Sequence, residues 1–396
     1  MTDKEMNLSV NRVDKYSEIY VHVPFCVKKC DYCDFVSFAR SEDTHKAYFE
    51  ALNKQIDYKA EFTGKIPVDS VFFGGGTPSL VSAEYIVSTL NHLRERYDIT
   101  DDAEITIEMN PNSASKEKIE MYKKAGINRI SIGLQSTENS ELKCLARPHN
   151  FEDFLETYKA VRDAGFDNIN VDIMSALPGQ NLESYKKTLK KVVELNPEHI
   201  SAYSLIIEEG TPFYDLYGDG EMAGCGLNEV LPLPGEDEER EMYYETKRFL
   251  AKNGYERYEI SNYSKPGLEC KHNIGYWTGK DYIGFGIAAA SLKDGIRYQM
   301  HSDLDEYIRG NFDEEREILT ENDRMSEFMF LGLRMVNGIE RTEFKRRFNV
   351  EPEKIFGKQL ADLVERKLLV KRGDYYALTE YGLDVSNVCM AEFLLD

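Results

Sequence analysis

The sequence predicts an α/β protein built on a partial (β/α)6, TIM-like barrel, followed by an α+β extension and a winged-helix-like end. Three observations lead there. Six short β-rich runs recur up to about residue 206, separated by segments with helical spacing of apolar residues. Polar residues and glycines gather at the C-terminal ends of several successive runs, where an open doubly wound sheet would concentrate them at a single switch point. Beyond residue 240 the strict alternation stops, so the later chain serves another purpose.

The six runs are EIYVHV from Glu18, SVFF from Ser70, EITIEM from Glu104, NRISIGL from Asn128, NINVDIM from Asn168 and HISAYSL from His199. Helical segments such as AYFEALNKQIDYKAEF from Ala47 and YKKTLKKVVEL from Tyr185 lie between them, and KKAGI and RDAGF supply glycine stops. Strands alternating with helices imply right-handed crossovers and a parallel sheet. After a short N-terminal segment, residues 1–16, the barrel and a Gly-, Pro- and acid-rich excursion are expected to occupy 17–240. A Gly- and Tyr-rich extension follows over 241–320. Residues 321–396 hold short amphipathic helices and KLLVKRGDYYAL, two apolar runs around an Arg-Gly-Asp turn, which is a winged-helix pattern.

Composition narrows the function. The 396 residues carry 49 Lys+Arg against 70 Asp+Glu, a formal charge of −21. Such an excess opposes nonspecific binding to nucleic acid or anionic lipid. With 42% hydrophobic residues the chain has the apolar surface for a packed core. No window approaches the roughly 18 uninterrupted apolar residues of a membrane span, and the start lacks the apolar core of a signal peptide, so a cytoplasmic location is expected. The winged-helix-like end invites a DNA-binding reading. Its net charge is nevertheless slightly negative, and the locally basic stretch Arg341 to Arg372 reads as a solvated surface or a protein contact; no nucleic acid partner is expected.

Seven cysteines include three within eight residues, Cys26, Cys30 and Cys33, in VHVPFCVKKCDYCDF directly after the first strand. Clustered thiols on a short polar loop point to a metal centre, since incidental cysteines are scattered and buried. Zinc is the competing reading, but structural zinc ordinarily takes four closed ligands and no matching second pair is visible. An iron-sulfur cubane suits soft thiolates, and three of them leave one iron open. Cys144, Cys225 and Cys389 read as incidental. GGGTP, from Gly74, ends the second run, where absent side chains let backbone groups approach a ligand. Glu108, Gln135 and Asp172 stand at or near the ends of later runs, and Arg147 offers a planar fork for a carboxylate.

CxxxCxxC with Tyr32 before its last cysteine, placed after the first strand of a partial barrel, resembles the radical SAM superfamily. The resemblance implies a 4Fe-4S cluster on Cys26, Cys30 and Cys33 whose open iron takes S-adenosylmethionine, with GGGTP meeting the methionine amino group. Tyr20, Tyr32, Gly75, Gly76, Thr77, Glu108, Gln135, Arg147, Asp172 and Ile206 resemble the cofactor positions of the oxygen-independent coproporphyrinogen oxidase (HemN) family. That likeness, which includes LPGQ at Leu177 to Gln180, covers nearly the whole chain.

Within that family the sequence resembles the heme-chaperone, HemW-type branch more than the decarboxylase. The enzyme's motif has a further cysteine two positions after the third, where this chain has Phe35. Only 25 residues precede Cys26, against a longer N-terminal arm in the enzyme. HNIGYW, from His272 to Trp277, matches the HNxxYW element that the resemblance ties to heme. It implies His272 as an axial ligand, with Cys270 as a second candidate and Tyr276 and Trp277 against the porphyrin. The same resemblance implies heme as cargo, a heme-acceptor protein, a reductant such as a flavodoxin or ferredoxin, and peripheral contact with membrane hemoproteins where those are acceptors. Coproporphyrinogen dehydrogenase activity is the alternative.

Overall fold

A computed structural model describes residues 17–218 and 230–395; residues 1–16 and Cys225 lie outside them. All six sequence runs are strands: β1 Ser17–Val23, β2 Pro67–Gly75, β3 Asp98–Met109, β4 Arg129–Gln135, β5 Ile169–Ser175 and β6 His199–Ser204. They pair in parallel and in sequence order, as right-handed βα units require. The sheet stays open between β1 and β6, so it is the partial barrel and not a closed one. Helices with one buried stripe cover its outside. Leu182–Glu194 buries Tyr185, Thr188, Leu189 and Val192, a period of three to four residues, and begins at a capping box on Asn181.

The stretch after residue 240 does not form a separate layer. β7 Glu256–Arg257 and β8 Asn262–Ser264 add antiparallel strands at the β6 edge. β9 Tyr282–Phe285, β10 Ala290–Lys293, β11 Ile296–Met300 and β12 Glu314–Ile318 add to the β1 edge, β9 running parallel to β1. One twelve-stranded sheet results. Met242, Leu250, Tyr263, Ile283, Phe285 and Tyr307 share the barrel's hydrophobic core. Between the two edges the chain crosses as helix Lys271–Trp277, which carries HNIGYW and packs on β2.

The C-terminal residues have a core of their own, including Met329, Phe344, Phe356, Leu360, Leu369 and Phe393. Its small sheet is β13 Ile339–Glu340, β14 Leu369–Arg372 and β15 Tyr375–Leu378 in the order β13-β15-β14. β14 and β15 form the hairpin expected around Arg372, Gly373 and Asp374, with Gly373 at φ 61° where an L side chain would be strained. Helices and a hairpin wing together make the winged-helix arrangement. No helix among the described residues is long and apolar enough to cross a membrane.

Candidate functional site

Cys26, Cys30 and Cys33 ride on a loop whose ends are laced together: Cys26 N–H donates to Phe38 O (3.1 Å) and Phe38 N–H to Pro24 O (2.8 Å). The loop is also tied to GGGTP, since Gly76 N–H donates to Val23 O (2.9 Å) and Thr77 N–H to Phe25 O (2.7 Å). This close backbone approach is why the run is glycine. A Cβ on Gly76 would meet Phe25 N and O at 2.8 Å, and Gly75, at φ 109°, would drive one into the His22 ring. Cys26 Sγ lies 3.5 Å from Thr77 Oγ1, and Cys33 N–H donates to Cys30 O (3.2 Å).

These elements wall a 390 Å³ cavity at the C-terminal strand ends, within the size range of small-molecule sites. The three cysteines, Tyr32, Gly75, Gly76, Thr77, Glu108, Gln135, Arg147 and Asp172 all line it. Ten residues of the sequence from different strands and loops thus converge with Cys26 on one space. Two expected positions do not reach it. Tyr20 lies beneath the floor, under Gly74, with its hydroxyl 3.0 Å from His22 Nδ1. Ile206 follows β6, is 67% exposed and is not among the residues lining the cavity.

The polar groups are held from behind. Arg147 donates from Nη2 to Gly133 O (2.6 Å) and Asn110 Oδ1 (2.7 Å), and Nη1 stands 3.6 Å from Cys30 Sγ. Its Nε is buried without a partner, so a donor of the fork is left for a bound acceptor such as a carboxylate. Glu108 Oε2 accepts from Gly75 N–H at 3.1 Å. Burial, then the neighbouring Asp172 carboxylate, pushes Glu108 up to about 8. Asp172 is raised by burial too, although Asn170 Nδ2 donates to it at 2.7 Å. Gln135 sits at φ 71°, at a register shift between β4 and β5, and accepts from Tyr203 OH (3.2 Å). Burial raises the Cys33 thiol to about 11, since desolvation disfavours the thiolate.

Sequence reasoning passed over Asn110, Ser131, Gly133 and Tyr203, which also line the cavity. Strand alternation could have found three of them: Asn110 is two residues from Glu108, while Ser131 and Gly133 precede Gln135 by four and two.

Three free thiols on one cavity wall, a glycine cradle and a buried guanidinium with an unused donor fit a 4Fe-4S cluster and S-adenosylmethionine. Among the described residues no group of three His, Cys, Asp or Glu side chains is arranged to hold a single metal ion.

HNIGYW is placed elsewhere. His272 is 2% exposed, stacked on Phe72 (5.0 Å between ring centres), with Nδ1 2.9 Å from Ser70 Oγ and Nε2 3.1 Å from Tyr276 OH. Burial lowers it to about 3, so the ring is neutral. Both nitrogens are engaged in hydrogen bonds because helix Lys271–Trp277 packs against the barrel strands. Cys270 is likewise fully buried, its Sγ 3.3 Å from Glu104 Oε1. Trp277 faces the C-terminal unit, under the Arg334 guanidinium at 4.2 Å.

The open parallel barrel and this cavity define a radical SAM protein. The family model of the Radical SAM superfamily matches residues 20–192, and that of the HemN C-terminal domain matches residues 319–385. Heme chaperone HemW of Lactococcus lactis subsp. lactis (strain IL1403) is 35% identical, over 97% of this chain and 99% of its own. Those of Bacillus subtilis (strain 168) and Escherichia coli (strain K12) are each 33% identical, over 95% and 96% of this chain and 98% of their own. The chain belongs to the HemW family. In fold it also matches the coproporphyrinogen III oxidase HemN from Escherichia coli, described as a radical SAM enzyme, with a TM-score of 0.81, 23% identity and coverage of 97% of this chain and 92% of that one.

Proposed function

We propose that this protein is a heme chaperone that binds heme and delivers it to an acceptor protein, carrying a 4Fe-4S cluster and S-adenosylmethionine. The observation that carries this reading is end-to-end similarity to relatives named heme chaperones. Phe35 agrees with it: 61% exposed on the cavity wall, it puts an apolar ring where the decarboxylase motif has a cysteine.

Cys26, Cys30 and Cys33 hold the cluster. Gly75, Gly76 and Thr77 offer backbone and hydroxyl groups to the methionine amino end, Arg147 its free donor to the carboxylate, and Glu108, Gln135 and Asp172 polar contacts to the remainder. When bound, the pair supplies one-electron reduction of a sulfonium centre. The protein's part is positioning: the Gly133 carbonyl and Asn110 lock Arg147, and Gly75 N–H orients Glu108. Tyr20 and Ile206 remain outer contacts of this site in the proposal. A flavodoxin or ferredoxin is the proposed reductant, the cytoplasm the proposed location, and peripheral contact with membrane hemoproteins the proposed route to acceptors there.

Anaerobically reconstituted protein, loaded with heme and mixed with an apo-hemoprotein, should transfer heme, and should make no protoporphyrinogen from coproporphyrinogen III with reductant and S-adenosylmethionine present. Sustained turnover without transfer would replace this reading with the dehydrogenase.

A further inference from the structure

One side chain joins the polar groups that face two of the three clustered thiols. Asn110, just past the end of β3, accepts at Oδ1 from Arg147 Nη2 (2.7 Å) and donates from Nδ2 to Thr77 Oγ1 (2.8 Å). Each of those neighbours stands beside a different cysteine: Arg147 Nη1 is 3.6 Å from Cys30 Sγ, and Thr77 Oγ1 is 3.5 Å from Cys26 Sγ. Asn110 is itself pinned, its carbonyl accepting from Ser113 N–H (3.1 Å) and Ser113 Oγ (2.5 Å). Gly133 keeps the space clear, since a Cβ there would lie 3.2 Å from both Arg147 Nη2 and Asn110 Oδ1.

The direction of every bond in this chain follows from its first member. A guanidinium only donates, so the end of the Asn110 amide that meets Arg147 is the oxygen, and the end that meets Thr77 is the nitrogen. Thr77 Oγ1 therefore accepts from Asn110 and keeps its own proton to give. A thiolate on iron only accepts, which leaves that proton for Cys26 Sγ, the other partner of the hydroxyl. One arm of the guanidinium thus reaches Cys26 through Asn110 and Thr77, while another faces Cys30 directly.

We propose that Asn110 is a positioning residue for the cluster: by joining Arg147 to Thr77 it aims their donors at the Cys30 and Cys26 thiolates and raises the cluster's reduction potential. The inference rests on the reading that these thiols carry a 4Fe-4S cluster. A reduced cluster holds one more negative charge than an oxidised one, so hydrogen bonds to its sulfurs favour the reduced form.

The test is a redox titration of the reconstituted full-length protein without S-adenosylmethionine, followed by the electron paramagnetic resonance of the reduced cluster. Thr77→Val keeps the side chain's shape and removes the donor. Asn110→Asp still accepts from Arg147 but takes the Thr77 proton for itself. Each should lower the potential by about 59 mV, the one-electron equivalent of a tenfold change, whereas Thr77→Ser, which keeps the hydroxyl, should hold the wild-type value. Because Asn110→Asp acts through Thr77 as well as by its added charge, the double variant with Thr77→Val should shift less than the sum of the single shifts. An unmoved potential in Thr77→Val, or strictly additive shifts, overturns the proposal. Should Asn110→Asp fail to fold, Asn110→Leu removes both hydrogen bonds without adding charge; it should also lower the potential, and an unmoved value overturns the role of Asn110. Wild-type protein that takes up no iron and sulfide overturns the cluster reading itself, a result distinct from cluster-loaded variants with an unmoved potential.

Discussion

Gly275 lies directly over the Glu18 carboxylate, so close that a Cβ at position 275 would overlap it. Glu18 is fully buried at the start of β1, with Lys280 Nζ at 3.6 Å and the neutral His272 ring at 3.9 Å. Burial raises its pKa well above the carboxylate range. Only glycine allows helix Lys271–Trp277 to seat on this group, which explains the glycine inside HNIGYW.

Gly275→Ala should therefore destabilise the protein. Alanine gains about 0.5–1 kcal/mol over glycine inside a helix, but overpacking a buried contact costs about 1–3 kcal/mol or more, and the overlap wins. Adding Glu18→Ala should recover part of the loss in the thermal midpoint, because the two sites are in contact. Strict additivity would mean the helix is not seated on Glu18.

His272→Ala removes two buried hydrogen bonds and a stacked ring. The expected result is a loss of about 1–3 kcal/mol, read as a lowered midpoint in denaturant, with the Soret band of heme-loaded protein unmoved. A changed band at unchanged stability would return His272 to the role of ligand.

The Glu108 carboxyl titrates near 8 in the folded protein and at about 4.3 when unfolded. Between those values the folded state holds a proton that the unfolded state has released, so stability falls as pH rises through the window and levels off above it. Glu108→Gln should flatten this decline between about pH 4.5 and pH 8 in the cofactor-free protein, measured as denaturant midpoint against pH. The same slope in wild type and variant would show that Glu108 is ionised throughout.

The thiols on the cavity wall should be individually necessary for the cluster. Cys26→Ala, Cys30→Ala and Cys33→Ala should each abolish the oxygen-sensitive 4Fe-4S absorbance, while Cys225→Ala retains it. Adding S-adenosylmethionine to the reduced wild-type protein should alter its electron paramagnetic resonance signal, and no change would point to a fourth protein ligand on the cluster.

Local pattern alone determined the six strand–helix units, the three-thiol loop, the glycine run and the C-terminal hairpin. Each is written in neighbouring residues: alternation along EIYVHV, a three-to-four period along YKKTLKKVVEL, and a two-residue turn in KRGDYY. Most of the cavity residues were legible for the same reason, since Glu108, Gln135 and Asp172 stand at or near strand ends that a barrel must bring together. Tertiary structure decided what depends on distant pairings. That β9 runs beside β1 rather than in a domain of its own follows from contacts some 260 residues apart, and no local period encodes them. HNIGYW looks like an aromatic binding element when read along the chain; inside the fold its histidine is sealed between Ser70, Phe72 and Tyr276. Only the fold decides this, because the hydrogen-bond partners of a buried ring are set by its neighbours in space, which the local sequence does not record.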